Sequence, residues 1–209
     1  MIGRQGPAIL AASLLAACQT AAPPTTVPPP DSPEWRRLVL AGDRERLDRI
    51  GEAWRDGLAA ARARGATARV RALGALLEPG AALARAMPPP GSYRCRLVRL
   101  GGERGLALFP SHFCHVGVEG ELLSFTKQGG SERPGGYLFE DGERRLVFLG
   151  ALALGDEAMP PAYGADPRRD SVGVVERVGP FRYRLALPRP PGGAALDVLE
   201  LVPAVPATD

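Results

Sequence analysis

The hydrophobic pattern changes its period at the three prolines 88–90, and this change constrains the fold more than any other feature of the chain. Before the prolines, apolar residues recur every three or four positions, which is typical of amphipathic helices. After them, apolar and polar residues alternate, beginning with Tyr93, Cys95 and Leu97. Alternation with a period of two is typical of β-strands that bury one face. The sequence therefore predicts a helical segment followed by a β domain.

The helical segment is predicted to be a hairpin of two helices. The first begins at Asp43, a residue type that caps helix N-termini, and ends at Gly65. The second covers residues 67–78 and stops at Pro79. The first helix carries a one-sided apolar stripe made of Leu47, Ile50, Trp54, Leu58 and Ala61. We expect this stripe to pack against the core.

The β domain is predicted to contain about eight antiparallel strands. The segments lie at residues 93–98, 113–118, 122–127, 137–140, 143–154, 172–178, 181–187 and 196–202. Short turns such as Asp141-Gly142 join them, and no helical crossover separates them, which excludes a parallel sheet. We predict an α+β fold, mainly antiparallel β, in which the helical hairpin precedes a barrel or sandwich. A lipocalin-like barrel is one form of this architecture.

The N-terminus predicts export and lipidation. Arg4 precedes a short apolar stretch that is followed by Leu15-Ala16-Ala17-Cys18, which resembles the bacterial lipobox. We predict a lipoprotein signal peptide at residues 1–17, lipidation of Cys18 and a tether rich in Pro and Thr at 18–33. Residues 34–90 then form the hairpin and linker, 91–203 the β domain and 204–209 a tail. Gln19 favours an outer-membrane lipoprotein that faces the periplasm of a Gram-negative cell.

Lipidation of Cys18 would leave an even pair of cysteines, Cys95 and Cys114. In an oxidising compartment such a pair favours a disulfide bond, and a separation of 19 positions suits neighbouring antiparallel strands. Metal ligation by His112, Cys114 and His115 is the alternative. We favour the disulfide, because on a strand His115 points away from the other two residues. No metal or other cofactor is predicted.

Residues 129–136 are the most unusual segment and the best candidate for a binding loop, although a strand connection with positive φ angles is the default interpretation. Lys127, Ser131 and Arg133 flank or belong to it, and Lys127 is the only lysine of the chain. Asp156 and Glu157, just after a long predicted strand, complete the weak candidates.

The charge distribution excludes an obvious nucleic-acid surface. Lys and Arg number 26 against 23 Asp and Glu, for a formal net charge of +3, and the arginines are scattered.

Several strings taken together resemble one bacterial family, domain of unknown function 4893, which is found in exported proteins of alphaproteobacteria. The resemblance covers residues 35–203 and is carried by the strings at 93–96, 123–127, 141–150, 155–157 and 196–200. It implies a fold shared over nearly the whole mature chain, and it implies no catalytic residues.

The function expected from these features is that of a monomeric, non-catalytic envelope lipoprotein. It would be anchored to the membrane by the lipid on Cys18 and would bind an envelope protein or a small apolar ligand. One alternative is a periplasm-facing hydrolase that uses Lys127 and Ser131, or His112 and His115. Another is a lipocalin-like protease inhibitor.

Overall fold

The computed structural model describes residues 35–204, and the predicted signal peptide, Cys18, the tether and all of the tail except residue 204 lie outside them. The helices are α1 (Trp35–Leu38), α2 (Ala41–Asp48), α3 (Ile50–Ala63) and α4 (Thr67–Ala72), followed by a 3₁₀ helix (Gly74–Leu77). The strands are β1 (Gly91–Leu100), β2 (Leu106–Glu119), β3 (Leu122–Lys127), β4 (Glu132–Glu140), β5 (Leu146–Leu154), β6 (Asp170–Gly179), β7 (Arg182–Pro188) and β8 (Leu196–Pro203).

The eight strands form a closed barrel in sequence order, and each strand is antiparallel to its neighbours. Closure comes from β1 and β8, which pair from Tyr93 opposite Pro203 to Leu100 opposite Leu196. The predicted fold class is confirmed, and of its two architectures the chain adopts the barrel. Because the barrel is closed, it presents no free strand edge.

Side chains fill the interior of the barrel. Tyr93 packs edge-on against Tyr183 two strands away, and Phe125 packs in the same way against Phe148, with ring centroids 6.3 and 5.9 Å apart. These residues belong to one buried cluster with the apolar side chains of β7 and β8. A void inside the barrel measures about 20 Å³, roughly the room of one water molecule. The barrel therefore holds its own side chains where a ligand-carrying barrel holds a ligand.

The helices cover the outside of the barrel. The buried stripe of α2 and α3, with Leu47, Trp54 and Leu58, lies in one cluster with outward-facing residues such as Val98 and Leu149. This confirms that the stripe packs against the core. The stripe is shared by two helices, because Arg49 leaves helical geometry between α2 and α3.

Three local expectations were wrong. Asp43 does not cap a helix: α2 begins two residues earlier, and the Asp43 carboxylate accepts hydrogen bonds from Arg46 and Tyr163. Residues 132–136 belong to β4 and are not part of a loop. Glycine is needed there, since a Cβ on Gly136 would lie 2.2 Å from the Leu149 oxygen of β5. The strand predicted to begin at residue 181 begins at Arg182, because Phe181 lies in the preceding turn with 70% of its surface exposed.

Arg184 joins the helical segment to the barrel. It is fully buried on the outer face of β7, where its guanidinium pairs with Glu176 at 2.6 Å and lies 4.7 Å from the centre of the Trp54 ring. The same guanidinium donates hydrogen bonds to four backbone carbonyls at the end of the helical segment, those of Ala75, Leu76, Glu78 and Pro79.

Replacing Arg184 with Met should lower the free energy of unfolding by about 3–5 kcal/mol, because it leaves the Glu176 carboxylate and the carbonyls without their donor. Arg182→Met is the matched control on the same strand. Arg182 pairs with Glu200 but stays one-third exposed, so its loss should cost at most about 1 kcal/mol. Urea unfolding measures both, and equal losses would contradict the role assigned to Arg184.

The disulfide predicted between Cys95 and Cys114 is confirmed. Cys114 lies opposite Tyr93 in the register of β1 and β2, so the two cysteines are diagonal neighbours on the inner face, with Cα atoms 5.8 Å apart. Both are completely buried.

The double variant Cys95→Ala/Cys114→Ala should lose about 3 kcal/mol of stability, because the bond restricts the unfolded chain over a loop of this length. Urea unfolding with and without reductant measures the loss. The reductant should shift the midpoint of the parent protein and leave that of the double variant unchanged, and identical midpoints for all four samples would refute the expectation.

Candidate functional site

Lys127 lies at one mouth of the barrel, where it is the last residue of β3 and stands opposite Cys114 of β2. Strand alternation turns its side chain inward, and only 5% of the residue is exposed. Its ammonium group donates hydrogen bonds to the backbone carbonyls of Gly129 and Glu132, the latter at 3.1 Å. Within residues 35–204 no carboxylate lies within ion-pair distance of it.

The surroundings of Lys127 lower the pKa of its ammonium group. Burial is the largest cause, and the positive charge of Arg133 acts in the same direction, while the Glu132 carboxylate opposes both. A buried cation that is held mainly by carbonyl dipoles keeps a strong demand for a negative partner.

A cavity of about 210 Å³ opens beside the ammonium group at this mouth. Its polar lining comes from Arg99, His112, Lys127, Ser131 and Glu132. Its apolar lining includes the exposed ring of Phe109. The cavity therefore combines the cationic groups of Arg99 and Lys127 and the Glu132 carboxylate with an apolar wall, and a few polar groups on an apolar lining are the usual composition of a ligand site.

The glycines at 129 and 130 follow from the close approach of this loop to the site. A Cβ on Gly129 would lie 2.6 Å from Nδ1 of His112, and one on Gly130 would lie 2.8 Å from Nζ of Lys127. Gly130 also has φ +86°, a conformation that side chains other than glycine rarely adopt. The loop thus closes over the lysine and the imidazole because it carries no side chains there.

Arg99 occupies the opposite wall, and two carboxylates neutralise it. Its guanidinium binds both oxygens of Asp197, at 2.8 and 2.7 Å, and one oxygen of Glu132 at 2.8 Å. It also lies 5.6 Å from the centre of the Phe109 ring. These carboxylates raise the pKa of Arg99, while burial raises the pKa of Asp197 against the effect of Arg99. Arg99 and Lys127 both line the cavity, and within residues 35–204 Arg99 is paired with carboxylates whereas Lys127 is not.

The structure brings some of the candidate residues together and separates others. Lys127, Ser131 and His112 share the mouth cavity. His115 lies one position from Cys114 and thus on the outer face of β2. Among the described residues, no hydrogen bond joins the Ser131 hydroxyl to Lys127 or to His112, so the Lys127–Ser131 pair is not assembled, and the predicted His112–His115 pair is divided between the two faces of β2.

Arg133 and Glu157 stabilise the loops beside the mouth. Arg133 donates to the carbonyls of Gly130, Gly155 and Glu157. The Glu157 carboxylate pairs with Arg169, which lowers the pKa of Glu157. Asp156 is exposed in the turn that follows β5.

Arg99 and Asp197 are not among the candidate residues predicted from the sequence. Both interrupt apolar alternation at inward positions, since Arg99 follows Cys95 and Leu97, and Asp197 precedes Leu199. A charged residue in the buried register of a strand is the observation that would have identified them.

Within residues 35–204 no group of three or more His, Cys, Asp or Glu residues is arranged to hold a metal ion. No helix in that range has the length and apolarity to cross a bilayer.

The family model of a domain of unknown function, DUF4893, matches residues 35–201. The chain belongs to this family. The match confirms the resemblance seen in the sequence and runs from the start of α1 into β8, so the DUF4893 region contains the helices, the barrel and the mouth cavity. No curated protein and no solved structure matches the chain.

Proposed function

We propose that this protein is a non-catalytic binding module of the bacterial cell envelope, and that it binds an anionic group in the mouth cavity beside Lys127. The single observation that carries the proposal is the buried ammonium group of Lys127, which faces a cavity and, among the described residues, has two carbonyls but no carboxylate as partners. An anion entering this cavity would satisfy that charge with a charge-assisted hydrogen bond.

The size of the cavity supports a small anionic group over a whole ligand. About 210 Å³ is less than the roughly 300–1,000 Å³ of typical small-molecule sites. A carboxylate at the end of a peptide or on a protein side chain suits this volume, with its apolar part against Phe109. The filled barrel interior supports the same choice, since a void of about 20 Å³ does not admit an organic molecule.

A binding role fits the arrangement better than hydrolysis. Nucleophilic catalysis needs a hydroxyl within hydrogen-bond reach of a base, and Ser131 has no such bond to Lys127 or His112. The lipocalin-like inhibitor remains a special case of the proposal, in which the anionic group belongs to a protease.

The envelope location rests on the N-terminal sequence and on the disulfide bond. Cys18 would anchor the mature chain to the outer membrane, residues 18–33 would separate the domain from the bilayer, and the domain would act as a monomer facing the periplasm. The Cys95–Cys114 bond supports an oxidising compartment.

Lys127→Met should weaken binding of N-acetylalanine, a model of a peptide carboxyl terminus, by tenfold or more. The variant keeps the length of the side chain and removes a charged hydrogen bond worth about 1.5–3 kcal/mol. Titration followed by amide NMR measures the affinity, and shifts should centre on residues 129–131. Arg144→Gln, which removes an exposed charge from the distant β4–β5 turn, is the control and should bind as the parent does.

The affinity should also fall as the pH rises through the lowered pKa of Lys127, below the ordinary lysine value of about 10.4, because the neutral amine does not attract an anion. Since this is the only lysine, ¹³C-lysine labelling gives one set of side-chain signals that reports its titration. Between the folded and unfolded pKa values the unfolded chain binds the extra proton, so the Lys127 contribution to stability rises with pH there. Binding unaffected by Lys127→Met would overturn the proposed function.

Cys18→Ala should abolish metabolic labelling of the protein with palmitate in a Gram-negative host, because the acylated thiol is then absent. Cys95→Ala/Cys114→Ala, which keeps Cys18, is the matched control and should still be labelled. Labelling that persists in Cys18→Ala would show that the chain is not a lipoprotein.

A further inference from the structure

A second cavity, of about 780 Å³, lies on the helical segment, far larger than the one at the barrel mouth. It opens between α3 and the stretch formed by α4 and the 3₁₀ helix. Leu58, Val70 and Leu77 form its apolar floor, and Arg62 and Arg71 line it with their positive charges. Its volume lies within the range of sites that take one small molecule.

The charges around this groove are unbalanced over a long stretch of sequence. Residues 57–77 contain four arginines, at positions 62, 64, 69 and 71, and no acidic residue. All four are exposed, and within residues 35–204 no side-chain hydrogen bond or ion pair joins any of their guanidinium groups to another residue. Glu78 is the one acidic side chain that lines the groove.

Most arginines elsewhere in the described part of the chain have side-chain partners. Arg96 and Arg182 share Glu200, Arg99 binds Asp197, and Arg169 binds Glu157. Within residues 35–204, the run of four unpaired guanidinium groups along residues 57–77, two of which line the groove, is therefore a local property and not a general consequence of an arginine-rich composition.

We propose that this groove binds one molecule of an anionic phospholipid, with its phosphate held by Arg62 and Arg71 and an acyl chain on the apolar floor. Guanidinium groups bind phosphate through paired hydrogen bonds. Each basic residue near an anionic lipid surface raises the affinity for that surface about several-fold. The floor has aliphatic side chains that suit a hydrocarbon chain.

A peptide is the weaker candidate for this groove. The closed barrel offers no strand edge to which a peptide could add, and the volume corresponds to one small molecule. This site is separate from Lys127, so the lipid proposal stands or falls independently of the proposed function.

The test uses the full chain carrying Cys18→Ala, so that no acyl anchor contributes. The probe is dihexanoyl-phosphatidylglycerol, kept below its micelle concentration, and calorimetry gives the affinity. We expect saturable binding that weakens tenfold or more in Arg62→Gln/Arg71→Gln. The matched control Arg104→Gln/Arg144→Gln removes two exposed arginines outside this segment whose side chains have no partner within residues 35–204, and it should bind as the parent does.

Further measurements distinguish an anionic phospholipid from a neutral lipid, from phosphate alone and from an acidic peptide. Dihexanoyl-phosphatidylcholine, with the same chains and no net charge, should bind at least tenfold more weakly, and so should inorganic phosphate. Val70→Thr, which keeps the shape of the floor and makes it polar, should also weaken binding. Equal affinity for the two lipids, equal affinity for phosphate alone, preferential binding of an acidic peptide, or full binding by Arg62→Gln/Arg71→Gln would each overturn the proposal. Unfolding midpoints confirm that every variant is folded.

Discussion

The buried guanidinium of Arg184 is the interaction on which the arrangement of helices and barrel depends. A cation without solvent must have its charge and all of its donors satisfied. Here Glu176 on the neighbouring strand supplies the charge, and the carbonyls that end the helical segment supply the remaining acceptors. The helical segment is therefore held at one position on the outer wall, with Trp54 stacked on the guanidinium. A hydrophobic contact alone would not specify that position, because it is not directional.

The helices on the outer face of the barrel and the filled interior together determine where charged side chains can reach a ligand. The helices bury the outer face of much of the barrel, and aromatic and branched side chains fill the interior. What remains is the mouth, where inward residues of β1, β3, β4 and β8 meet solvent. Arg99 and Asp197 neutralise each other there, and Lys127 does not share in that pairing. The second exposed cavity lies on the helical segment, where Arg62 and Arg71 are exposed and their side chains form no ion pair within residues 35–204.

Much of the fold could be predicted from the sequence, since strand alternation and turn residues are local properties of the chain. The strands β3 and β8 lie at the positions predicted from the alternation. Cys95 and Cys114, predicted to lie on neighbouring antiparallel strands, form the predicted disulfide bond. The errors have tertiary causes. Asp43 has the residue type of a helix cap, and the hydrogen bond that it accepts from Tyr163, 120 residues away, cannot be seen in a local pattern. The strand β4 begins early because its glycines let it approach β5 closely, whereas glycine-rich sequence usually indicates a loop.

By itself, the sequence determined the order of helical and β segments, the faces that are buried and the pair of cysteines, because each of these follows from periodicity or composition. Only the tertiary structure decided between a barrel and a sandwich, since closure depends on the pairing of β1 with β8 across most of the chain. It also decided the state of each charge. Lys127, Arg99 and Arg184 are all basic residues on or near strands, yet one faces a cavity without a carboxylate, one is neutralised at the mouth and one holds the helices. Burial and partners assign these roles, and both arise only when distant segments come together.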